Sequence, residues 1–368
     1  MTTIPEVSRW SSRSSCGDLI PLLSFFTGAG LLDIGFARSG FESVWHNEIE
    51  PWFVRGFEAG MTSLGMERSS IQNTSSIVEL RPELILDEAF GGSRPDVFGM
   101  IGGPPCPDFS VAGKQAGGTG DRGSLSLTYV QSVLDLRPTF FVFENVPGLM
   151  RTAKHRAFLC DLRLMLEPSY SLDVRILNAL DYGVPQDRER VFMIGFRRDS
   201  VHRNMSDFPW PHDDRYVDAK ARFRWPTTDP FGGDPPRPDG VPEELMVGPL
   251  ICGPEVAELP NGREGFNPYS GKFLTIDEGD DSKKSFKRLH RWRYSPAAAY
   301  GNNEVHLHPT EPRRITVREA MRIQTIPDEY VLPADMPLSH KFKTIGNGVP
   351  VRLAEAVARA VAEFLEVQ

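Results

Sequence analysis

The chain has 368 residues, of which 40% are hydrophobic, 10% aromatic and 24% charged. This composition is typical of a globular protein with a sizeable core, and it excludes a disordered, fibrous or disulfide-stapled chain. At roughly 150 residues per domain, the length predicts two domains or one large domain with an insertion. The net charge of −8, from 41 Lys+Arg and 49 Asp+Glu, argues against a generally basic nucleic-acid-coating protein but permits a local basic surface.

The sequence also indicates the compartment. No run approaches the roughly 20 apolar residues needed to cross a bilayer, and the Ser/Arg-rich start lacks the apolar core of a signal peptide. Four cysteines without metal-ligand spacing favour a reducing compartment and no metal site: Cys16, Cys106, Cys160 and Cys252. We therefore expect a cytoplasmic protein. All of its cysteines except Cys106 are expected to be small core residues.

Over the first 200 residues, short apolar runs alternate with helical patterns, which predicts an α/β fold with a doubly wound, mostly parallel sheet. The candidate strands are residues 21–26, 42–46, 97–101, 140–143, 172–177 and 191–196. Unusual residues follow four of them: TGAG at 27–30, NE at 47–48, GGPPC at 102–106 and ENVP at 144–147. Ligands of open α/β sheets bind at the carboxyl ends of the strands, so these four segments are predicted to meet at one site.

The character of the sequence changes between about residues 198 and 312, where Pro and Gly are dense and hydrophobic periodicity fades. Order returns at Thr316, a predicted helix N-cap that forms a capping box with Glu319. Apolar residues at every fourth position from 353 to 365 predict a last helix packed on the sheet. We expect a tail at 1–19, a first domain at 20–198, a smaller irregular domain at 199–330 and a returning segment at 331–368.

The first motif indicates a nucleoside cofactor. Gly28 and Gly30 follow an apolar strand and precede a helical pattern, where the backbone must turn tightly and approach a ligand. Asp33 stands where a dinucleotide fingerprint has its third glycine. Glu48, 18 residues after Gly30, is placed to accept hydrogen bonds from ribose hydroxyls. This pattern fits NAD and S-adenosylmethionine alike, and a glycine turn without a ligand is the alternative.

The second set of motifs carries reactive groups. Two glycines and two prolines fix the loop of Cys106, whose thiol would need cationic neighbours or a helix N-terminus to lower its pKa from about 8.5. Glu144, at the tip of an apolar strand, either caps a helix or donates a proton or hydrogen bond to a ring nitrogen. Arg188 and Arg190 should share one face of a strand, with Glu189 on the other, and each suits a carbonyl oxygen, a phosphate or a surface salt bridge.

Taken together, these motifs resemble the DNA (cytosine-5)-methyltransferase family of bacterial type. The matching segments occur in the family's order over nearly the whole chain: 26–30 (FTGAG), Glu48, 102–113 (GGPPCPDFSVAG), 121–125 (DRGSL), 144–146 (ENV), 182–190 (YGVPQDRER), 314–327 (RITVREAMRIQTIP) and 346–350 (GNGVP). The chain departs from the family pattern at Pro107, where Gln is usual, and at Leu31, where a second Gly is common. It also has Ser76 near the position where an Asp commonly contacts the cofactor's adenine.

The resemblance implies a class I, Rossmann-like methyltransferase fold with a smaller target-recognition domain. It implies methyl transfer from S-adenosylmethionine, leaving S-adenosylhomocysteine, to C5 of a flipped-out cytosine in duplex DNA through a Cys106–C6 adduct. Glu144 would act at N3 of the cytosine and Arg190 at its O2. Asn145 would fix the loop, and Arg188 belongs to the same catalytic block as Arg190. The residues implied for cofactor binding are Phe26, Thr27, Gly28, Ala29, Gly30, Leu31, Glu48, Ile49, Ile77, Pro105, Asn347 and Val349.

Contacts to DNA are expected from two segments. Six cations between positions 283 and 293 are interleaved with aromatic residues, which alone is typical of a solvated face. In the family that the chain resembles, this position belongs to the target-recognition domain. The stretch is therefore predicted to contact the phosphates and grooves of DNA. The glycine-rich segment 113–123 is either a mobile loop that closes over the flipped base or a surface loop without such a role. The implied DNA-binding residues are Ser110, Lys114, Arg122, Lys287, Arg288, Arg291 and Arg293.

Two other functions stay open. An RNA (tRNA) cytosine-5 methyltransferase of the same fold would share the Cys and ENV blocks, although the 115-residue variable region from 198 to 312 favours reading of duplex DNA. A catalytically silent DNA-binding regulator is the second alternative, against which the intact Cys106, Glu144 and Arg190 argue. For the leading hypothesis we expect a monomer at the bacterial nucleoid, with a restriction endonuclease of the same site as a further partner.

Overall fold

A computed structural model describes residues 19–66, 70–105, 121–267, 270–283, 285–297, 300 and 305–366. The predicted residues Cys106, Ser110 and Lys114 lie outside the described residues, as does the side chain of Arg122. Among the helices within these ranges, none combines the length and apolar character required to span a bilayer.

The strands form one large sheet and two small pairs. They are β1 (Ile20–Phe25), β2 (Phe41–Asn47), β3 (Ile71–Asn73), β4 (Gly99–Gly102), β5 (Phe140–Asn145), β6 (Tyr170–Asn178), β7 (Gln186–Asp187), β8 (Glu189–Arg197), β9 (Lys287–Arg288), β10 (Ser295–Pro296) and β11 (His306–Leu307). The seven-stranded sheet has the order β3-β2-β1-β4-β5-β8-β6, in which β8 runs antiparallel to both of its neighbours and the other pairs are parallel. β7 pairs with β10, and β9 with β11.

The central strands are apolar because both faces of the sheet are covered, as in other parallel sheets. β5 reads FFVFEN and is buried at every position. All six predicted strands are present, with ends shifted by up to two residues. β3 was not predicted, since three residues at the sheet edge are too few to show a periodic pattern.

The helices cover both faces of the sheet, as the doubly wound prediction requires. They are α1 (Leu31–Ala37), α2 (Pro51–Ser63), α3 (Pro82–Phe90), α4 (Asp121–Leu136), α5 (Gly148–Arg151), α6 (Ala153–Leu166), α7 (Ala219–Arg222), α8 (Gly248–Ile251), α9 (Val317–Ile323), α10 (Leu338–Asn347) and α11 (Val351–Glu366). On one face, α1 and α11 pack against β1, β5 and β8. On the other, α3, α4 and α6 pack against β1, β4 and β5. The predicted C-terminal helix is confirmed in α11.

Between β8 and α9 the chain is irregular, with two four-residue helices, short 3₁₀ turns and two-residue strands. The predicted capping box at α9 is confirmed: the Thr316 hydroxyl accepts from the Glu319 N–H, and the Glu319 carboxylate accepts from the Thr316 N–H. α9 shares a hydrophobic core with α1, α2 and α10. The Tyr330 hydroxyl donates to the Ala29 carbonyl at 2.8 Å, which ties the segment after α9 to the glycine turn.

The prediction for Cys160 was wrong, because this residue is exposed on α6, whose buried face is formed by Leu159, Leu162 and Leu166. Cys252 is half-buried, and burial raises the pKa of its thiol to about 11. The environment of Cys252 is not that of an activated thiol, which requires a lowered pKa.

Candidate active site

A cavity of about 640 Å³ lies at the carboxyl ends of β1, β4 and β5, where the four predicted segments meet. The predicted residues that line it are Phe26, Thr27, Gly28, Ala29, Leu31, Glu48, Pro105, Glu144, Asn145, Arg188, Arg190, Asn347 and Val349. Gly30, Ile49 and Ile77 were also predicted to bind the cofactor but are not part of its wall. Gly30 instead packs below the turn, Ile77 is in the core and Ile49 is exposed.

The glycine turn has a backbone that ordinary residues rarely adopt. Gly28 and Gly30 have φ values of +58° and +76°, and Phe26 between strand and turn has 53°. A Cβ on Gly30 would lie 2.4 Å from the Met61 Cε and 2.7 Å from the Phe57 ring, so no side chain fits there. At Gly28 the nearest atom would be 3.7 Å away, which leaves its cavity side open. The turn thus presents bare backbone to a ligand.

Glu48 is fixed directly beside this turn. Its carboxylate accepts from the Gly28 N–H at 2.9 Å and from the Glu50 N–H at 2.8 Å. Burial raises the pKa of Glu48, while these backbone donors oppose the rise. A carboxylate oriented by two backbone donors at the end of the second strand is well placed to accept hydrogen bonds from ribose hydroxyls.

Glu144 and Arg190 form a buried pair at the other end of the cavity. The Arg190 Nε lies 2.9 Å from the Glu144 Oε1, and both side chains are only 11% exposed. Burial raises the pKa of Glu144, against the opposing effect of the two arginines, and burial lowers the pKa of Arg190. Two strands bring the pair together, because Glu144 is the last but one residue of β5 and Arg190 the second residue of the antiparallel β8. The elevated pKa favours a carboxyl group that can donate a proton or hydrogen bond.

Arg188 and Asn145 hold the walls of the cavity. The Arg188 guanidinium is buried and donates to the Gly346 and Gly348 carbonyls, which ties β8 to the junction of α10 and α11. The Asn145 amide donates to the Pro104 carbonyl at 3.0 Å and accepts from the Val146 N–H at 2.9 Å. Asn145 therefore joins β5 to the loop whose last described residue, Pro105, precedes Cys106.

Sequence reasoning missed several lining residues, namely Ser24, Phe53, Ala297, Lys343, Thr344 and, as a site residue, Asp33. A signal for Asp33 was present, since it replaces the third glycine of the fingerprint. Thr344 lies two residues before the first glycine of the GNGVP segment, but nothing in its local pattern distinguishes it from a helix core residue. Ala297 comes from the irregular region, and only the pairing of β10 with β7 brings it to the cavity.

The structure corrects the prediction that Arg288 contacts DNA. Its guanidinium is buried and donates to four backbone carbonyls, those of Phe273, Ile276, His308 and Glu311. Four of the five N–H donors of this guanidinium are bonded inside the fold and the residue is 1% exposed, so it is closed off from a phosphate.

The other predicted cations of this stretch differ in accessibility. Arg291 pairs with the buried Glu278 at 2.8 Å and is 15% exposed, and Arg293 lies 3.1 Å from Asp281. Lys287 is half-buried on β9. A DNA contact of these three residues stays a prediction.

Comparison with known proteins identifies the family. The family model described as C-5 cytosine-specific DNA methylase matches residues 20–237 and 249–363. The chain is 44% identical over 354 residues to the type II methyltransferase M.NmeDI of Neisseria meningitidis serogroup C, covering 94% of this chain and 84% of that protein. It is 32% identical over 358 residues to the type II methyltransferase M.MthTI of Methanothermobacter thermautotrophicus, covering 94% and 98%.

Solved structures share the fold. A crystal structure of a prophage-encoded putative DNA modification methyltransferase of E. coli superposes with a TM-score of 0.64 at 24% identity, covering 94% of this chain and 99% of that one. The family match extends over the glycine turn, Glu48 and the Glu144–Arg190 pair, and therefore over the whole wall of the cavity. The chain belongs to the C-5 cytosine-specific DNA methylase family and is a DNA (cytosine-5)-methyltransferase.

Proposed function

We propose that the protein transfers a methyl group from S-adenosylmethionine to C5 of a cytosine that is flipped out of a specific site in duplex DNA. The proposal rests on one cavity. The glycine turn and Glu48 form the part of its wall that suits a nucleoside, and the Glu144–Arg190 pair lies opposite. Its volume of about 640 Å³ is within the usual range of small-molecule sites, about 300–1,000 Å³.

The residues at the glycine turn fit this cofactor. Glu48 would hold the ribose hydroxyls, and the bare backbone at Gly28 would admit close approach of the ligand. Asn347 and Val349 would close the opposite wall. When bound, S-adenosylmethionine supplies a methyl group on a sulfonium as the electrophile.

The chemistry of cytosine assigns roles to the residues of the other end. C5 of an aromatic cytosine is a poor nucleophile, and addition of the soft Cys106 thiolate to C6 would convert C5 into an enamine carbon. The Glu144 carboxyl, with its raised pKa, would donate to N3 and relieve the charge that develops in this addition. Arg190 would hold O2 while keeping Glu144 oriented. Loss of the C5 proton, for which ordered water is a sufficient acceptor, then allows elimination of Cys106.

The DNA must present the base outside the stack, which costs a few kcal/mol that contacts to the duplex offset. We assign these contacts to the region 199–330, through Lys287, Arg291 and Arg293, and to the loop that contains Ser110, Lys114 and Arg122. We further propose that the protein acts as a monomer alongside a restriction endonuclease of the same site.

Incubation with labelled S-adenosylmethionine and either mixed genomic DNA or tRNA tests the proposal. We expect label in DNA and not in tRNA, and bisulfite sequencing of the product should show one recurring site. Label in tRNA alone would move the activity to RNA, and binding without transfer would leave a silent DNA-binding protein.

The assignment of the nucleophile has its own test. We expect Cys106→Ala to abolish methylation, with the dissociation constant for cofactor unchanged. It should also abolish the denaturant-resistant protein–DNA adduct expected on DNA with 5-fluorocytosine, whose C5 has no proton to lose after methyl transfer. The matched control is Cys160→Ala on the exposed face of α6, which should methylate at the wild-type rate. An active Cys106→Ala variant would contradict the assignment.

A further inference from the structure

A buried carboxyl group lines the cavity without a charged partner. Asp33, in the first turn of α1, is 3% exposed and belongs to the cavity wall. The Ser43 hydroxyl donates to its Oδ1 at 2.7 Å, whereas no described residue donates a hydrogen bond to its Oδ2. No lysine, arginine or histidine in the described part of the chain forms an ion pair with it.

A hydroxyl of the same cavity is also unsatisfied. Thr344 on α10 is 2% exposed, and its Oγ1 has no hydrogen-bond partner among the described residues. The Oγ1 lies 3.7 Å from the position that a Cβ on Gly28 would take, so it faces the glycine turn. Two elements that are distant in sequence thus each place one unpaired oxygen at the wall of one cavity.

Asp33 differs from the other two carboxyl groups of the cavity. Glu144 is paired with Arg190, and Glu48 accepts two backbone N–H groups. Burial raises the pKa of Asp33, while the Ser43 and Ser24 hydroxyls oppose the rise. A buried carboxylate is costly unless it is paired, so a cation that enters the cavity would be stabilised there.

We propose that Asp33 and Thr344 recognise the ammonium group on the amino-acid part of S-adenosylmethionine. The inference rests on the proposed function, because it takes the cofactor from there. Asp33 Oδ2 supplies the charge and Thr344 Oγ1 a second acceptor. The amino-acid end of the cofactor is thereby directed to the wall formed by α1 and α10, and its nucleoside end to Glu48.

Binding measurements with three ligands test the proposal on the full chain by calorimetry or competition. S-adenosylhomocysteine carries the ammonium and the carboxylate, S-adenosyl-3-thiopropylamine carries the ammonium alone, and 5′-methylthioadenosine carries neither. We expect Asp33→Asn to weaken the first two by about tenfold to a hundredfold, the value of one charge-assisted hydrogen bond, and to leave the third unchanged. Asp161→Asn, an exposed site on α6, controls for the change in net charge and should bind all three like the wild type.

Thr344→Val removes the hydroxyl at nearly constant shape and gives a second test if Asp33→Asn does not fold. It should weaken the two ammonium ligands by about threefold to tenfold, as expected for one hydrogen bond, without affecting 5′-methylthioadenosine. Equal affinities in wild type and variant, or equal losses for all three ligands, would overturn the proposal. If the wild type methylates DNA but the variants do not show this difference in affinity among the three ligands, only the assignment of Asp33 and Thr344 is wrong. If the wild type binds no S-adenosylhomocysteine, the proposed function fails as well.

Discussion

At the scale of single residues, the space beside Glu144 limits what the catalytic loop can contain. A Cβ on Gly103 would lie 2.6 Å from the Glu144 Oε2, closer than atoms in contact approach. Glu144 is also held by Arg190 at 2.9 Å, so a side chain at Gly103 must displace a carboxyl group that has little room to move. The position of the Glu144 carboxyl group therefore requires a glycine here.

We expect Gly103→Ala to lower kcat by about a hundredfold, the lower end of what a positioned acid or base contributes. The dissociation constant for S-adenosylhomocysteine should stay unchanged, because Glu48 and the glycine turn lie at the other end of the cavity. Gly148→Ala is the matched control, since a Cβ there would have its nearest neighbour at 3.9 Å. A Gly103→Ala enzyme with wild-type kcat would show that Glu144 tolerates displacement.

At the scale of elements, the sequence predicted those strands, helices and caps whose pattern lies within one short segment. The buried β5, the capping box of α9 and the stripe of α11 each depend on residues within one element. β3 is too short to produce a pattern. The pairing of β7 with β10 joins segments more than 100 residues apart, and no local signal marks it.

The residues of the candidate site also differ in whether the local sequence could predict them. The glycine turn, Glu48 and Glu144 were predictable because each follows a strand. Asp33 carries a local signal, the missing third glycine, but nothing in the sequence shows that it lines the cavity. Thr344 carries no local signal, because the lining of a cavity depends on which elements pack together. Within the basic stretch, the two residues of β9 alternate in burial, so that Lys287 is half-exposed and Arg288 is buried. The order of charges in the sequence does not reveal this difference.

This distinction leads to opposite expectations for the two neighbours. Arg288→Lys should lower the free energy of unfolding by about 3 kcal/mol, because a lysine cannot supply the fork that serves four carbonyls, and each unsatisfied buried acceptor costs about 1–3 kcal/mol. Lys287→Gln should leave stability unchanged, weaken DNA binding uniformly across sequences and reduce the salt slope by about 1. Denaturant unfolding and a salt titration of DNA binding measure the two effects. A loss of stability below about 1 kcal/mol in Arg288→Lys would contradict the internal role of this guanidinium.

At the scale of the whole molecule, the net charge of −8 is compatible with a DNA substrate because the cations are distributed unevenly. Several cations of the recognition region are paired internally, as Arg291 is with Glu278. Fewer cations available for phosphate would give weaker binding to nonspecific DNA, which suits an enzyme that must leave its site after each methyl transfer.

The last helix, α11, packs into the hydrophobic core on one face of the large sheet. Phe364 near the end of α11 is fully buried, with its ring 4.6 Å from Phe196 on β8 and 5.4 Å from Phe208. The Arg203 guanidinium lies 4.4 Å from the same ring. The C-terminal helix thus supports the strand that carries Arg190, at the end of that strand opposite to the cavity.

We expect Phe364→Ala to lower the free energy of unfolding by about 3–5 kcal/mol, because the cavity left in this aromatic cluster cannot fully collapse. The transition midpoint in denaturant should fall with an unchanged slope, and kcat at temperatures where the variant is folded should match the wild type, since Phe364 does not line the cavity. Leu164→Ala, a position that is 62% exposed on α6, should change stability by no more than about 0.5 kcal/mol. A loss below about 1 kcal/mol at Phe364 would contradict the contribution to stability that we assign to this aromatic cluster.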